Sequence, residues 1–267
     1  MQPEDLPSAL KFTQAVQWAH RLEDWQFHYR LGRGWVACDE HGAMLGTATW
    51  WSHGEHHGSV GLVVVDRSQQ GKGIGRRLME TIIDDAGSRS LQLVATQAGL
   101  KLYQQCGFRE AGMIEQRQGE VSAPVAEPST TAGMRATTAG DLEALTALDA
   151  AAMGAPRREL LQHVLDVGSG FVHPGGFVVK RQAGRGTLIG PVVAESESLA
   201  IALVARVLNS STGFVRIDIP SHAEQLAAWL DSVGLVKVDT VTAMRRGASP
   251  AANPGMRTYA LVSQAFG

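Results

Sequence analysis

The sequence predicts a mixed α/β (α+β) fold made twice on one plan: two domains, each a mixed central sheet flanked by helices. Three observations carry this. Apolar, β-branched runs alternate with helical stripes along the 267 residues. A stretch at 119–133, GEVSAPVAEPSTTAG, is rich in Pro, Ser, Thr and Ala, has no periodicity, and divides the chain into parts of similar size. The order of elements before that stretch recurs after it.

In the first part, residues 6–20 and 22–31 read as helices. Residues 35–38 and 44–51 read as a strand hairpin turned at Glu40, His41 and Gly42. Residues 59–65, SVGLVVV, suit a buried strand. Beyond a glycine-rich loop, Ile74, Leu78 and Ile82, with Met79 and Ile83, recur at i, i+4 and predict a helix ending near Gly87. Residues 91–95 form a short strand, 98–106 a short helix closed by Gly107, and 108–117 a last strand.

In the second part, MRATTAGDLEAL at 134–145 echoes MQPEDLPSAL at the start of the chain through shared Asp-Leu and Ala-Leu positions. Residues 177–180 and 187–194 form a hairpin around Ala183, Gly184, Arg185 and Gly186; 198–208 is an apolar-striped helix. Residues 214–219 are a strand, 223–232 a helix closed by Gly234, and 235–245 a strand. The predicted division is a first domain at 1–118, a linker at 119–133, a second domain at 134–247 and a tail at 248–267 that ends on the short apolar run YALVSQAF. The second copy opens on a short strand at 134–136, whereas the first opens almost directly on its helix.

Composition narrows the function classes. The formal net charge of −2 argues against nucleic-acid binding by bulk electrostatics. Cys38 and Cys106 sit in ordinary apolar contexts, which fits a reducing compartment. MQPEDLPSAL lacks the basic-then-apolar pattern of a secretory signal. No apolar run reaches the ~18 residues that cross a bilayer. A cytoplasmic protein without membrane or nucleic-acid partners is expected.

The sharpest local feature is VVVDRSQQGKGIGRRLME, with Gly71, Gly73 and Gly75 between a strand and a helix. Such a loop admits a ligand close to the backbone and aims N–H groups and the helix's positive end at an anion. The G-x-x-x-x-G-K-[ST] phosphate loop fails, because no Gly-Lys-Ser/Thr follows. The dinucleotide pattern G-x-G-x-x-G fails as well, because Arg76 takes the third glycine's place. What remains is Q-x-x-G-x-G from Gln70 to Gly75, or a glycine turn with no ligand.

This stretch resembles the pyrophosphate loop of the GNAT superfamily of N-acetyltransferases, whose pattern is [RQ]-x-x-G-x-[GA] after a strand. KLYQQCGF at 101–108 is similar to that superfamily's later L-Y-x-x-x-G-F element, and HGAMLGTATW to its preceding hairpin strand. The resemblance covers roughly residues 1–118. It implies acetyl-CoA as co-substrate, no metal, and transfer of the acetyl group to an amine by direct attack in a ternary complex. By resemblance, Gly71, Gly73 and Gly75 hold the pyrophosphate at the start of a helix near Ile74, with Gln70, Lys72 and Arg76 adding donors or charge. Val63, Val64 and Val65 offer the strand edge for the pantetheine amides. A backbone N–H at Leu62 or Val63 polarises the thioester carbonyl. Tyr103 is the expected general acid for the departing thiolate, beside the alternative of a core tyrosine on an amphipathic helix. Thr96 stands where many members carry a pantetheine-bonding Asn; it can still make one such hydrogen bond.

The second copy lacks these features. IGPVVAES leads straight into its helix with no glycines or basic residue, and Leu230 takes the tyrosine's place in Trp229-Leu230-x-x-x-Gly234. The layout is similar to tandem GNAT proteins with one active and one degenerate domain. The degenerate copy is expected either to wall the acceptor site or to act as a structural lid. Candidate bases are His53, Glu55, His56 and His57 in the HGEHHG turn, and Glu23, Asp24 and His28; water is a further relay. The HGEHHG spacing matches neither H-E-x-x-H nor a Cys/His zinc pattern. Trp18, Trp25, Trp50 and Trp51 line an apolar acceptor groove or fill the core. The expected partner is a small-molecule amine; an acyl-CoA-binding sensor and a protein or peptide N-acetyltransferase are the alternatives.

Overall fold

The computed structural model describes residues 1–121, 123–126 and 133–267; the rest of the expected linker lies outside the described residues. The first half contains α1 (Leu6–Ala15), α2 (Leu22–Leu31), β1 (Arg33–Cys38), β2 (Met44–His53) and β3 (His57–Val65). It continues with α3 (Ile74–Ala86), β4 (Ser90–Ala95), α4 (Leu100–Gln105) and β5 (Arg109–Val121). The second half contains β6 (Arg135–Ala136), α5 (Leu142–Met153), α6 (Arg158–Val167), β7 (Gly168–His173), β8 (Gly176–Ala183) and β9 (Gly186–Ala194). It ends with α7 (Glu197–Asn209), β10 (Gly213–Pro220), α8 (Glu224–Ser232), β11 (Val236–Arg246) and β12 (Arg257–Ala260).

The strands join one continuous mixed sheet in the order β1-β2-β3-β4-β11-β5-β10-β9-β8-β7-β6, with β12 on β9. Each half places its last long strand inside the other's half-sheet. Strand β11 pairs antiparallel with both β4 and β5, and β5 pairs antiparallel with β10. Arg117 adds a cross-tie: it is buried, and its guanidinium bonds Glu115 at 2.8 Å and Asp231 of α8 at 2.7 Å.

One face of the sheet carries α3 and α4 over the first half and α7 and α8 over the second. Helix α3 turns Leu78, Met79, Ile82 and Ala86 inward, and Gly73 and Gly87 bound it. Each of the larger chains contributes about 1.5–3 kcal/mol on full burial. The opposite face carries α1, α2, α5 and α6. The stretch 261–265 crosses its middle, where Leu261 covers Ile114 and Val241.

Several expectations are corrected here. Helix α1 stops at Ala15, not at residue 20, because Gln17 turns left-handed at φ 64°. The Trp18 N–H then bonds the Thr13 carbonyl at 2.9 Å, and the Gln17 N–H bonds that of Gln14 at 2.9 Å, a Schellman turn with Gln in glycine's usual place. Residues 119–121 extend β5 rather than begin the linker. The tail contains β12 and reaches the centre of the molecule. Helix α6 and strand β7 were not anticipated from the sequence.

Candidate active site

The glycine loop is open. Gly71 and Gly73 have φ of 78° and 81°, and a Cβ on either would meet nothing within 4 Å. Side chains other than glycine avoid this backbone region, so the loop is shaped for approach rather than packing. Helix α3 begins at Gly73 with no side-chain cap, which leaves its first N–H groups facing the loop. Gly75 faces inward, where a Cβ would lie 3.2 Å from Leu102. Gln70 Nε2 donates to the Val65 carbonyl at 3.3 Å and ties the loop to the strand end. Lys72 donates to Gln69 at 2.8 Å, and Arg76, two residues past Ile74, pairs with Glu80 at 2.8 Å; all are exposed. This donor set, with its free helix start and two cations, fits a pyrophosphate.

Ahead of the loop, β3 parts from β4. Their parallel pairing runs from His57↔Ser90 only to Val60↔Leu93, although β3 continues to Val65. On its other edge β3 stays with β2, but Thr47 faces Val64 and Thr49 faces Gly61, so Leu62 and Val63 together oppose Ala48. This is a β-bulge. Leu62 takes φ 53°, and its carbonyl accepts from Thr47 Oγ1 at 2.8 Å.

The bulge opens into a cavity of about 450 Å³ on the face opposite α3. Leu62 and Thr96 form its floor beside the parted strands, Gln17 to His20 one wall, and Arg181, Arg216 and Asp218 of the second half another. Ser263, Gln264 and Ala265 close it from the tail. Among the described residues, Gln17 and Leu62 are the two non-glycines with positive φ, and both line this cavity. Strain of this kind gathers at functional sites.

Tyr103 lies across the sheet from the cavity. It is buried against Phe108, with ring centroids 6.2 Å apart, in the cluster that also takes Val63, Val65 and Ile74. Burial pushes its phenol well above the usual tyrosine range, so it stays protonated at neutral pH. Val64 is buried and paired with Thr47.

The structure sorts the candidate bases. Glu55 and His56 are exposed in the turn before β3, at the end of that strand away from the glycine loop. His57 is half-buried beside them and, with the buried His53, lines a separate small pocket; His53 meets Ser59 Oγ at 2.9 Å. Glu23 is exposed and does not line the cavity. Asp24 is committed: it takes Arg21 in an ion pair at 2.9 Å and the Gly184 N–H of the second half at 2.9 Å. Burial alone would raise the Asp24 carboxyl, but the Arg21 bonds bring it below the usual range. His28 lines the cavity, with Nδ1 2.5 Å from the Asp24 carbonyl and Nε2 without a partner among the described residues. His20, missed in the sequence, joins it with an Nδ1 that has no partner among the described residues. Burial holds His28 down to about 3 and His20 to about 4, so both are neutral at pH 7. Of the four tryptophans named as groove candidates, Trp18 lines the cavity, and Trp25, Trp50 and Trp51 are core. No group of three or more His, Cys, Asp or Glu placed to hold a metal is found among the described residues.

Gln116, Gln118, Arg216 and Asp218 also escaped the sequence reading. Their signal is i, i+2 spacing, which puts polar side chains on one face of two central strands where a closed core would be apolar. The second half's equivalent of the β3 edge is not free: Val192, Val193 and Ala194 of β9 pair with β12.

A model of the Acetyltransferase (GNAT) family matches residues 4–108, and one of the Acetyltransferase (GNAT) domain matches residues 145–260. The uncharacterized N-acetyltransferase YitH of Bacillus subtilis (strain 168) is 31% identical over 218 residues, 78% of this chain and 76% of that protein. A Pyrococcus horikoshii protein classed as an acetyltransferase superposes with a TM-score of 0.82 at 18% identity, over 100% of this chain and 94% of that one. A tandem GNAT protein from the clavulanic acid biosynthesis pathway gives 0.65 at 15% identity, over 93% and 96%. At these identities the structural likeness is one of fold. No helix among the described residues is long and apolar enough to cross a membrane.

Proposed function

Because the chain belongs to the GNAT acetyltransferase family and carries two of its domains, we propose that its first half binds acetyl-CoA and its interdomain cavity holds the amine that receives the acetyl group. The observation that carries this is the free edge of β3. It has the glycine loop at its end, the Tyr103 cluster on one face and the cavity on the other.

The loop from Gln70 to Arg76 takes the pyrophosphate through backbone N–H groups and the helix dipole. The edge at Val63, Val64 and Val65, with Thr96 across the gap, orients the pantetheine amides. A backbone N–H at Leu62 or Val63 bonds the thioester oxygen as charge develops there. The acceptor's nitrogen lone pair then attacks the carbonyl carbon from the cavity side. The C–S bond breaks, and Tyr103 gives its proton to the leaving thiolate. The neutral rings of His20 and His28 accept hydrogen bonds from the amine, and water takes its proton outward. The second half contributes a wall of the acceptor site. The two halves position both substrates at once, as direct attack requires.

The test is thiol release from acetyl-CoA across an amine panel. Tyr103→Phe should bind coenzyme A as the parent does and lose about 100-fold or more in kcat. Undiminished turnover would remove Tyr103 from the mechanism. If the parent protein is silent with every amine and peptide while coenzyme A binds, the sensor reading takes its place; turnover of peptides alone favours a peptide acceptor.

A further inference from the structure

Arg181 of β8 is the unusual charge in the cavity. It is 5% exposed. Its hydrogen bond to the protein runs from Nη2 to the Val262 carbonyl at 3.2 Å, and Nε has no partner among the described residues. The Phe27 ring covers one face of the guanidinium at 4.5 Å, and the residue lines the cavity. Neither neighbouring carboxylate is available. Asp24 is held by Arg21 and the Gly184 N–H. Asp218 is held by Arg216 at 2.9 and 3.1 Å. Counting Arg21, the partner of Asp24, Arg21, Arg181 and Arg216 stand against Asp24 and Asp218; Arg185 and the exposed Asp239, which also line the cavity, add one charge of each sign, so Arg181 is the one left over. His20 and His28 are neutral and do not alter the balance. Burial pulls Arg181 down to about 10, still a cation at neutral pH. Buried charges are ordinarily paired, and an arginine fork fits a carboxylate with two parallel bonds.

We infer that the acceptor is a small amino carboxylate, whose carboxylate docks on Arg181 while its amine faces the Leu62 bulge. This rests on the cavity being the acceptor site. It assigns Arg181 as the residue that selects the acceptor.

The experiment uses the full chain and matched triplets: β-alanine, β-alaninamide and propylamine; leucine, leucinamide and isoamylamine. Two readouts are taken. One is thiol release with acetyl-CoA. The other is the thermal shift caused by millimolar acid, amide or amine with no acetyl-CoA present. The acids should exceed their amides and amines in kcat/KM by about tenfold or more, the size of a hydrogen-bonded charge contact. The acids alone should raise the melting temperature. Arg181→Gln should raise KM for the acids by about 10- to 100-fold and abolish their thermal shift, with coenzyme A affinity retained as the sign of a folded protein; Arg181→Lys should recover part of the preference. Equal use of acids, amides and amines, or a preference that survives Arg181→Gln, overturns the inference. If Arg181→Gln does not fold, the parent protein's triplets decide. Silence in thiol release with an acid-specific thermal shift that Arg181→Gln removes would sink the transfer reading and leave the carboxylate site standing. Silence in both readouts sinks the carboxylate site.

Discussion

The same strand–turn–helix unit appears once in each half, and the two copies have been finished in opposite ways. In the first, β3 leaves β4 after Val60, Leu62 bulges, and helix α3 opens on Gly73 with no side-chain cap. In the second, β9 leaves β10 after Ile189, but β12 moves in: Arg257 pairs with Ala194, Thr258 with Val193 and Ala260 with Val192. The chain's own strand thus occupies the edge that the first half leaves open. Helix α7 is likewise closed. Ser196 accepts from the Leu199 N–H at 3.3 Å, and Glu195 and Glu197 put negative charge where a pyrophosphate would need the opposite. A ligand site and a piece of core therefore differ here by who supplies the partner for one strand edge and one helix end.

The strongest way to break this comparison is Gly73→Val. The residue sits at φ 81° with open space around its Cα. A left-handed conformation costs a non-glycine about 1–2 kcal/mol, and a β-branched side chain would stand where the anion approaches. Coenzyme A affinity measured by calorimetry should fall at least 100-fold, about 2.7 kcal/mol. The parent protein should bind one coenzyme A per chain. Two sites, or a variant that still binds, would make the halves equivalent and remove the contrast.

Much of the first half was legible because its signals are local. Helix α2 and strand β2 begin at the residues the periodicity names, and α3 follows the Ile74–Leu78–Ile82 stripe. The glycine loop could be read from spacing because backbone conformation limits which residues fit. The exchange of β5 and β11 could not, since both are amphipathic strands and nothing in their own residues says which neighbour they join. The cavity between the halves was hidden for the same reason. Its wall unites Leu62, Arg181, Asp218 and Gln264, which only the fold brings together. The tail's YALVSQAF was visible as apolar, but the fold alone sets Phe266 against Trp51 at 4.6 Å, His28 at 5.0 Å and Phe27 at 5.8 Å.

A pH titration sharpens the contrast by a middling amount. Burial holds His28 and His53 down to about 3 and His20 to about 4, against 6.5 when unfolded. Between these values the unfolded chain binds more protons than the folded one, so stability present above pH 6.5 is lost as pH falls toward 4. The slope is up to about 1.4 kcal/mol per pH unit for each ring. All three rings lie in the first half. In the second half His163 and His222 are lowered too, chiefly by burial, but they are less deeply enclosed. Amide exchange compared at pH 7 and pH 5 should therefore accelerate first in α2, β2 and β3. Acceleration that begins in α7 and α8 would mean that the buried histidines do not control acid opening.

The smallest expected effect is at the other helix start. Ser196→Ala removes the acceptor for the Leu199 N–H and should lower stability by about 1 kcal/mol in a urea melt. Because α7 makes no part of the glycine loop, coenzyme A affinity and thiol release should stay at the parent's values. The two substitutions thus read the same structural position in each half with opposite outcomes for the ligand: coenzyme A binding is lost at Gly73 and kept at Ser196. If Ser196→Ala weakened coenzyme A binding, the start of α7 would belong to a ligand site after all, and β12 would have to be regarded as a strand that yields its place rather than one that fills it.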